Sequence, residues 1–237
     1  MKIKVDDHIT SFILLRENCL ETGYIVRHRH YHERLASMLK DFMRNTAQLK
    51  EATIKENDED SANTLLAIEC FCQALRSEML MWLALKKEDP NRAWNYLIEA
   101  QDWVKASTHA KYLERLQQEK YIEKLHQIEK VVFLPQVFNS PAMVIRSVQC
   151  SICKEDYGKC HHIAGKAYMG RFCSEIVTKY TFLHVAVVSY PFDKKARVPE
   201  TWENGKWKNL MTWKERRCPN PAERNPAQAG KPSVERK

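Results

Sequence analysis

The chain has 237 residues, of which 44% are hydrophobic and 29% are charged. This composition is ordinary for a globular protein, and the length allows one large domain or two small ones. No run of about 18 apolar residues is present, which argues against a membrane-spanning helix and a membrane partner. The apolar run FILL near the start is too short for a signal peptide. We therefore expect a cytoplasmic protein with reduced thiols.

The net charge of +8 is concentrated late in the sequence. Residues 194–237 contain 12 Lys or Arg and 5 Glu, a net charge of +7, so the preceding residues are close to neutral. This distribution predicts a basic tail that could contact an acidic partner. It argues against a protein that coats nucleic acid with its whole surface.

Residues 1–133 predict an α-helical bundle. From Asp6 to Glu56 there is no proline and one glycine, Gly23, and apolar residues recur at steps of three and four. After the polar stretch KENDEDSAN, in which Asp60 or Ser61 could cap a helix, residues 61–87 are apolar on more than one face. This segment is therefore predicted to lie at the centre of the bundle.

Three local signals refine the helical region. Asp89 followed by Pro90 predicts a helix start, and Ser107-Thr108 could separate two antiparallel helices. The stretch RHRHYHER, residues 27–34, is interpreted as a solvated basic helix face with Tyr31 packed inward. The alternatives for that stretch are a ridge that contacts phosphates and a metal site that uses His28 and His32.

The pattern changes after Pro135. Residues 143–148 and the run TKYTFLHVAVVSYPF are rich in β-branched and aromatic residues, which predicts strands. Between them lies the cysteine-rich segment CSICKEDYGKCHHIAGKAYMGRFC, residues 150–173. We predict a small zinc-stabilised β module at residues 141–192, so the chain as a whole is expected to have an α+β fold.

The spacing of cysteines and histidines in this segment predicts a structural zinc site. Zinc takes four soft or borderline ligands in a tetrahedron, and a C-x-x-C turn can present two sulfurs to one ion. The preferred ligands are Cys150, Cys153, Cys160 and His162, with Cys173 as a rival ligand. His161 is disfavoured because neighbours on an extended segment point to opposite sides. A redox pair, an iron–sulfur cluster and a chance grouping are alternative interpretations.

The string C-S-I-C-x6-C-x-H-I-x-G-x2-Y-x-G-x2-C resembles a motif of poorly characterised bacterial and phage-associated proteins. The resemblance covers about residues 148–197, including the step Val187-Val188-Ser189-Tyr190-Pro191. It implies a zinc-binding module in a bacterial defence or mobile-element setting, and it implies no reaction. The family pattern has glycine directly after the second cysteine, where this sequence has Lys154.

An HNH-like nuclease is the alternative function. In that hypothesis His162 is the general base and His161 helps to hold a catalytic metal. Such a nuclease needs a further Asn and a final His or Asn on a following helix, and SEIVTKYTFLHV after Cys173 contains no Asn. The preferred hypothesis is a non-enzymatic zinc-binding scaffold that docks a macromolecular partner. A protein is the expected partner, and the basic tail could also bind nucleic acid.

The basic tail, residues 193–237, alternates aromatic and cationic residues before a proline-rich end that is predicted to be disordered beyond Cys218. Such alternation suits stacking on single-stranded nucleic acid. It equally suits docking on a protein or on the helices, and these alternatives stay open. The candidate contact residues are Lys206, Trp207, Lys208, Trp213, Lys214, Arg216 and Arg217.

Overall fold

The computed structural model describes residues 2–22 and 27–217, and the predicted disorder beyond Cys218 lies outside these residues. Five helices precede seven strands, which confirms the α+β prediction for the described residues. The helices are α1 (Lys2–Thr22), α2 (Arg29–Lys55), α3 (Glu59–Lys86), α4 (Pro90–Ala110) and α5 (Gln118–Val132). The strands are β1 (Phe138–Cys150), β2 (Ala167–Tyr168), β3 (Arg171–Phe172), β4 (Glu175–Val188), β5 (Glu200–Glu203), β6 (Lys206–Asn209) and β7 (Glu215–Arg217). None of the described helices combines the length and apolarity that a membrane crossing requires.

Helix α3 is the centre of the bundle, as its all-round apolar sequence predicts. It packs against α1, α2 and α4, and its buried residues lie on every face of the helix. A helix that is apolar all round lowers its free energy only when other elements cover all its faces. Its largest fully buried side chains are Leu65, Ile68, Phe71, Leu75, Met79 and Met81.

Two short connections join α2 to α3 and α3 to α4, so that consecutive helices are antiparallel. Asn57 and Glu88 adopt left-handed backbone conformations that end α2 and α3. Each is followed by an aspartate whose carboxylate accepts from the next helix: Asp58 from the Ser61 N–H, and Asp89 from the Arg92 N–H. The predicted start at Asp89-Pro90 is therefore confirmed, whereas the predicted caps Asp60 and Ser61 are wrong by two or three residues.

The predicted helix break at Ser107-Thr108 is wrong, because α4 continues to Ala110. Buried Ser107 donates to the Ala67 carbonyl of α3 at 2.7 Å and accepts from Gln118 of α5 at 2.7 Å. The hydroxyl therefore ties three helices together inside the bundle instead of ending one of them.

A buried ion pair joins α3 to α5. Glu78 is fully buried, and Tyr121 and Lys124 donate to its carboxylate at 2.6 and 2.7 Å. The Trp82 indole N–H donates to it at 3.2 Å. Burial first, and then the Glu78 charge, hold the pKa of Tyr121 well above its usual value, so Tyr121 remains a donor.

Two compact units divide the chain: residues 1–133 with 141–186, and residues 134–140 with 187–237. In the first, β1 and β4 form a two-stranded ribbon, and β2 and β3 form a short hairpin. In the described part of the second, β5, β6 and β7 form an antiparallel sheet, with Trp202 opposite Trp207. Residues 137–139 pair with residues 196–198 beside it.

Replacing Lys124 with Met should destabilise the bundle by about 3 kcal/mol, because the Glu78 carboxylate loses its cation inside the protein. The free energy of unfolding measured with urea tests this. Lys120→Met, on the exposed side of the same helix, is the control and should change stability by less than about 0.5 kcal/mol. Equal effects of the two substitutions would contradict a stabilising role for the ion pair.

Candidate metal centre

The candidate site lies at the end of the β1–β4 ribbon where β1 ends and β4 begins. Cys150 is the last residue of β1, and the cysteine-rich loop 151–174 leads into β4 at Glu175. Ser151 and Ser174 close this loop, since the Ser151 N–H donates to the Ser174 carbonyl at 3.0 Å. The site is therefore built on the base of the ribbon.

Four side chains converge at this position. The ligand atoms of Cys150, Cys153, Cys160 and His162 all lie within 4.8 Å of one another, so the group could hold a metal ion. Cys160 Sγ and His162 Nδ1 are 3.4 Å apart, close to the roughly 3.5 Å edge that tetrahedral Zn–S and Zn–N bonds of about 2.3 and 2.0 Å imply. Cys150 is buried and Cys153 is exposed, so the cluster opens towards solvent on one side.

The first pair of sulfurs is positioned by a tight turn. The Lys154 N–H donates to the Cys150 carbonyl at 3.0 Å, and the Ile152 N–H points at Cys150 Sγ at 3.4 Å. The turn requires a left-handed residue after Cys153, and Lys154 has φ 65°. Glycine takes this conformation without steric cost, so a lysine at this position carries a steric cost.

The second pair is positioned by a two-residue step. The His162 N–H donates to Cys160 Sγ at 3.1 Å, and the His162 ring meets the Tyr168 ring edge-on at 4.8 Å. The Tyr168 and Tyr157 hydroxyls accept from the N–H groups of Ile163 and Ala164. The aromatic residues of the loop therefore hold the imidazole in place.

The thiols differ in how easily they ionise. Burial opposes ionisation of Cys150, but the N–H groups of Cys153 and Ile152 and the neighbouring thiols outweigh it and lower its pKa to about 6. Burial and the Cys150 and Cys153 sulfurs raise the pKa of Cys160 to about 11. Cys150 therefore ionises more readily than Cys160.

Cys173 lies beside the cluster and outside the group of four. Its sulfur is 3.7 Å from Cys150 Sγ. Burial, and then its hydrogen bond with Cys150, raise the pKa of Cys173. A neutral thiol here can donate to the Cys150 sulfur, as groups around a metal site commonly do to its ligands.

The loop is anchored on the helices through the β2–β3 hairpin. Asn63 of α3 accepts from the Gly170 N–H at 2.8 Å, and Ala167 is buried with Leu66, Ala67 and Cys70 of α3. Gly170 has φ 70°, and a Cβ there would lie 3.1 Å from the Lys50 side chain. Glycine is thus required both by the turn and by its closeness to α2.

The positions of the histidines do not favour the alternative catalytic and metal-binding roles. His161 is exposed and does not belong to the group of four, while His162 supplies a ligand atom, so the geometry favours ligation over general-base catalysis for His162. In RHRHYHER, His32 is buried and Tyr31 is exposed, which corrects the predicted inward packing of Tyr31. His28 occupies the N-cap position of α2 without a side-chain capping hydrogen bond. Residues 2–22 and 27–217 contain no second group of three or more residues that could hold a metal ion.

Most cations among the predicted partner-contact residues are engaged with acidic residues inside the second unit. Lys206 pairs with Glu215, Lys208 with Glu203, and Arg216 with Glu200. The Arg216 guanidinium also lies 5.7 Å from the centre of the Trp207 ring, and Lys208 Nζ lies 4.5 Å from that of Trp213. Among the candidate contact residues, the exposed ones are Trp213, Lys214, Arg216 and Arg217. The Trp202 and Trp207 rings pack on each other with centroids 5.2 Å apart, a contact that the alternation of aromatic and cationic residues does not predict.

Comparison with protein-family models finds no match, and comparisons with curated proteins and with solved structures find none either.

Lys154→Gly should stabilise the metal-binding loop by about 0.5–1 kcal/mol, because it removes the steric cost of a left-handed lysine. Thermal unfolding of the metal-loaded protein measures this. Lys159→Gly lies in the same loop, at a position without positive φ, and should not stabilise it. A Lys154→Gly protein that is less stable than wild type would show that the lysine side chain stabilises the loop.

Proposed function

We propose that this protein is a non-enzymatic adaptor in which a structural zinc ion organises the loop between β1 and β4. The convergence of three sulfurs and one imidazole nitrogen within 4.8 Å supports the proposal. This donor set suits zinc, and hard cations such as Mg²⁺ prefer oxygen ligands. Four protein ligands complete a tetrahedron and leave no position for a reacting water, which favours a structural role over a catalytic one.

A cytoplasmic location belongs to the same proposal. Seven cysteines of the described residues carry free thiols, and thiols stay reduced in the cytosol. The setting in a bacterial defence or mobile-element system rests on the resemblance of residues 148–197 alone.

The proposed partner is a protein. The pairing of Lys206, Lys208 and Arg216 with glutamates compensates much of the positive charge of the β5–β7 sheet. Nucleic-acid binding depends on cations that are free to neutralise phosphates. The ion pairs therefore support docking on a protein over stacking on nucleic acid.

Metal analysis of the purified protein tests the zinc proposal. Wild type should contain about one zinc ion per chain, and Cys153→Ser should lose most of it because a tetrahedral site loses one of four ligands. Cys153 is exposed, so the substitution itself should not disturb packing. His161→Ala is the matched control and should retain the metal, as its side chain is exposed beside the site.

Cys173→Ala separates the two possible roles of Cys173. As a donor to Cys150 rather than a ligand, it should leave the zinc content unchanged while zinc affinity falls about 10- to 100-fold. Competition with a chromophoric chelator measures the affinity. If Cys153→Ser kept its full zinc content and Cys173→Ala contained none, Cys173 would be the fourth ligand in place of Cys153.

A DNA-cleavage assay of wild type tests the non-enzymatic role. Cleavage with Mg²⁺, Mn²⁺ or Zn²⁺ would contradict that role.

A further inference from the structure

The β1–β4 ribbon exposes apolar side chains on both of its faces. The two strands have 13 and 14 residues, and no third strand pairs with either of them among the described residues. Two-stranded sheets are marginally stable alone, and contiguous exposed apolar surface commonly marks a binding site. The ribbon therefore has the character of an interaction surface.

Side-chain hydrogen bonds assign each residue to a face. Thr178 Oγ1 contacts Ser147 Oγ at 2.9 Å, so these two residues share one face. Arg146 Nε donates to Thr181 Oγ1 at 3.2 Å, so these two share the other. Because side chains alternate along a strand, the remaining residues follow by steps of two.

The face that contains Ser147 and Thr178 carries no Lys, Arg, Asp or Glu in the segments 141–148 and 176–186, and His184 is its one basic side chain. We call it the neutral face. Both cations of the ribbon segments 141–148 and 176–186, Arg146 and Lys179, lie on the opposite face. The large apolar side chains of the neutral face are 39–61% exposed: Met143, Ile145, Ile176, Tyr180 and Phe182.

We propose that the neutral face binds the neutral face of a second copy of this chain. Most of the net charge of +8 lies in residues 194–237, and the ribbon contributes little to it. The neutral face contributes no like-charge repulsion, and it leaves Arg146 and Lys179 in water. A two-fold dimer uses one patch on both subunits, and packed sheets whose strands run within about 30° of each other bring such patches together.

The exposed area agrees with a weak dimer. With about half of each side chain accessible, the five residues present on the order of 450 Å² per copy, or roughly 900 Å² per pair. Specific interfaces begin near about 1,000 Å² in total. The estimated area lies at the low end for specific interfaces, so the expected dimer is weak and reversible.

This proposal is independent of the proposed zinc site, and the tests can be separated. Sedimentation velocity of the full chain from about 1 to 200 µM should show a concentration-dependent monomer–dimer equilibrium. Phe182→Asp should weaken dimerisation by roughly 30-fold or more, because it places a charge inside the interface. Zinc content and thermal stability, measured on the same samples, should match those of wild type since Phe182 is exposed.

Leu183→Asp is the matched control. Leu183 is 55% exposed and Phe182 is 53% exposed, they are adjacent on β4, and they lie on opposite faces. Leu183→Asp should therefore dimerise like wild type. A wild type that stays monomeric at 200 µM would overturn the proposal and assign the ribbon to a different partner. Equal effects of the two substitutions, or no effect of Phe182→Asp, would also overturn it.

Discussion

The convergence of Cys150, Cys153, Cys160 and His162 is the constraint on which the second half of the first unit depends. The loop that carries them contains two strands of only two residues each and little apolar surface. Such a segment cannot offset its conformational entropy by burial alone. Cross-linking of its two turns by one ion would supply the missing free energy, as it does in small metal-dependent domains.

The helical bundle supplies a rigid base for this loop. Helix α3 contributes both the buried core and the Asn63 carboxamide that accepts from Gly170. The same helix therefore stabilises the bundle and fixes the β2–β3 hairpin. The loop with the candidate metal ligands packs directly on the bundle, because Ala167 of β2 is buried together with residues of α3 and α4.

Sequence patterns predicted the features that depend on local chemistry. The central position of α3 follows from its all-round apolar composition, and the four converging ligand residues follow from their spacing. Features that depend on distant partners were missed. Ser107 resembles a helix terminator until its partners Ala67 and Gln118 are known, and His32 resembles a surface residue until its position beside Lys86 is known.

The limits of sequence reasoning are clearest in the ribbon. The run TKYTFLHVAVVSYPF is rich in β-branched and aromatic residues, and this composition predicts the strand β4. Among the described residues β1 is the one strand that pairs with β4, and residues 175–185 are all exposed. Large apolar side chains such as Tyr180, Phe182 and Leu183 are therefore exposed where the composition alone would suggest burial. Because contiguous exposed apolar surface commonly marks an interaction site, composition and exposure together support the proposed dimer.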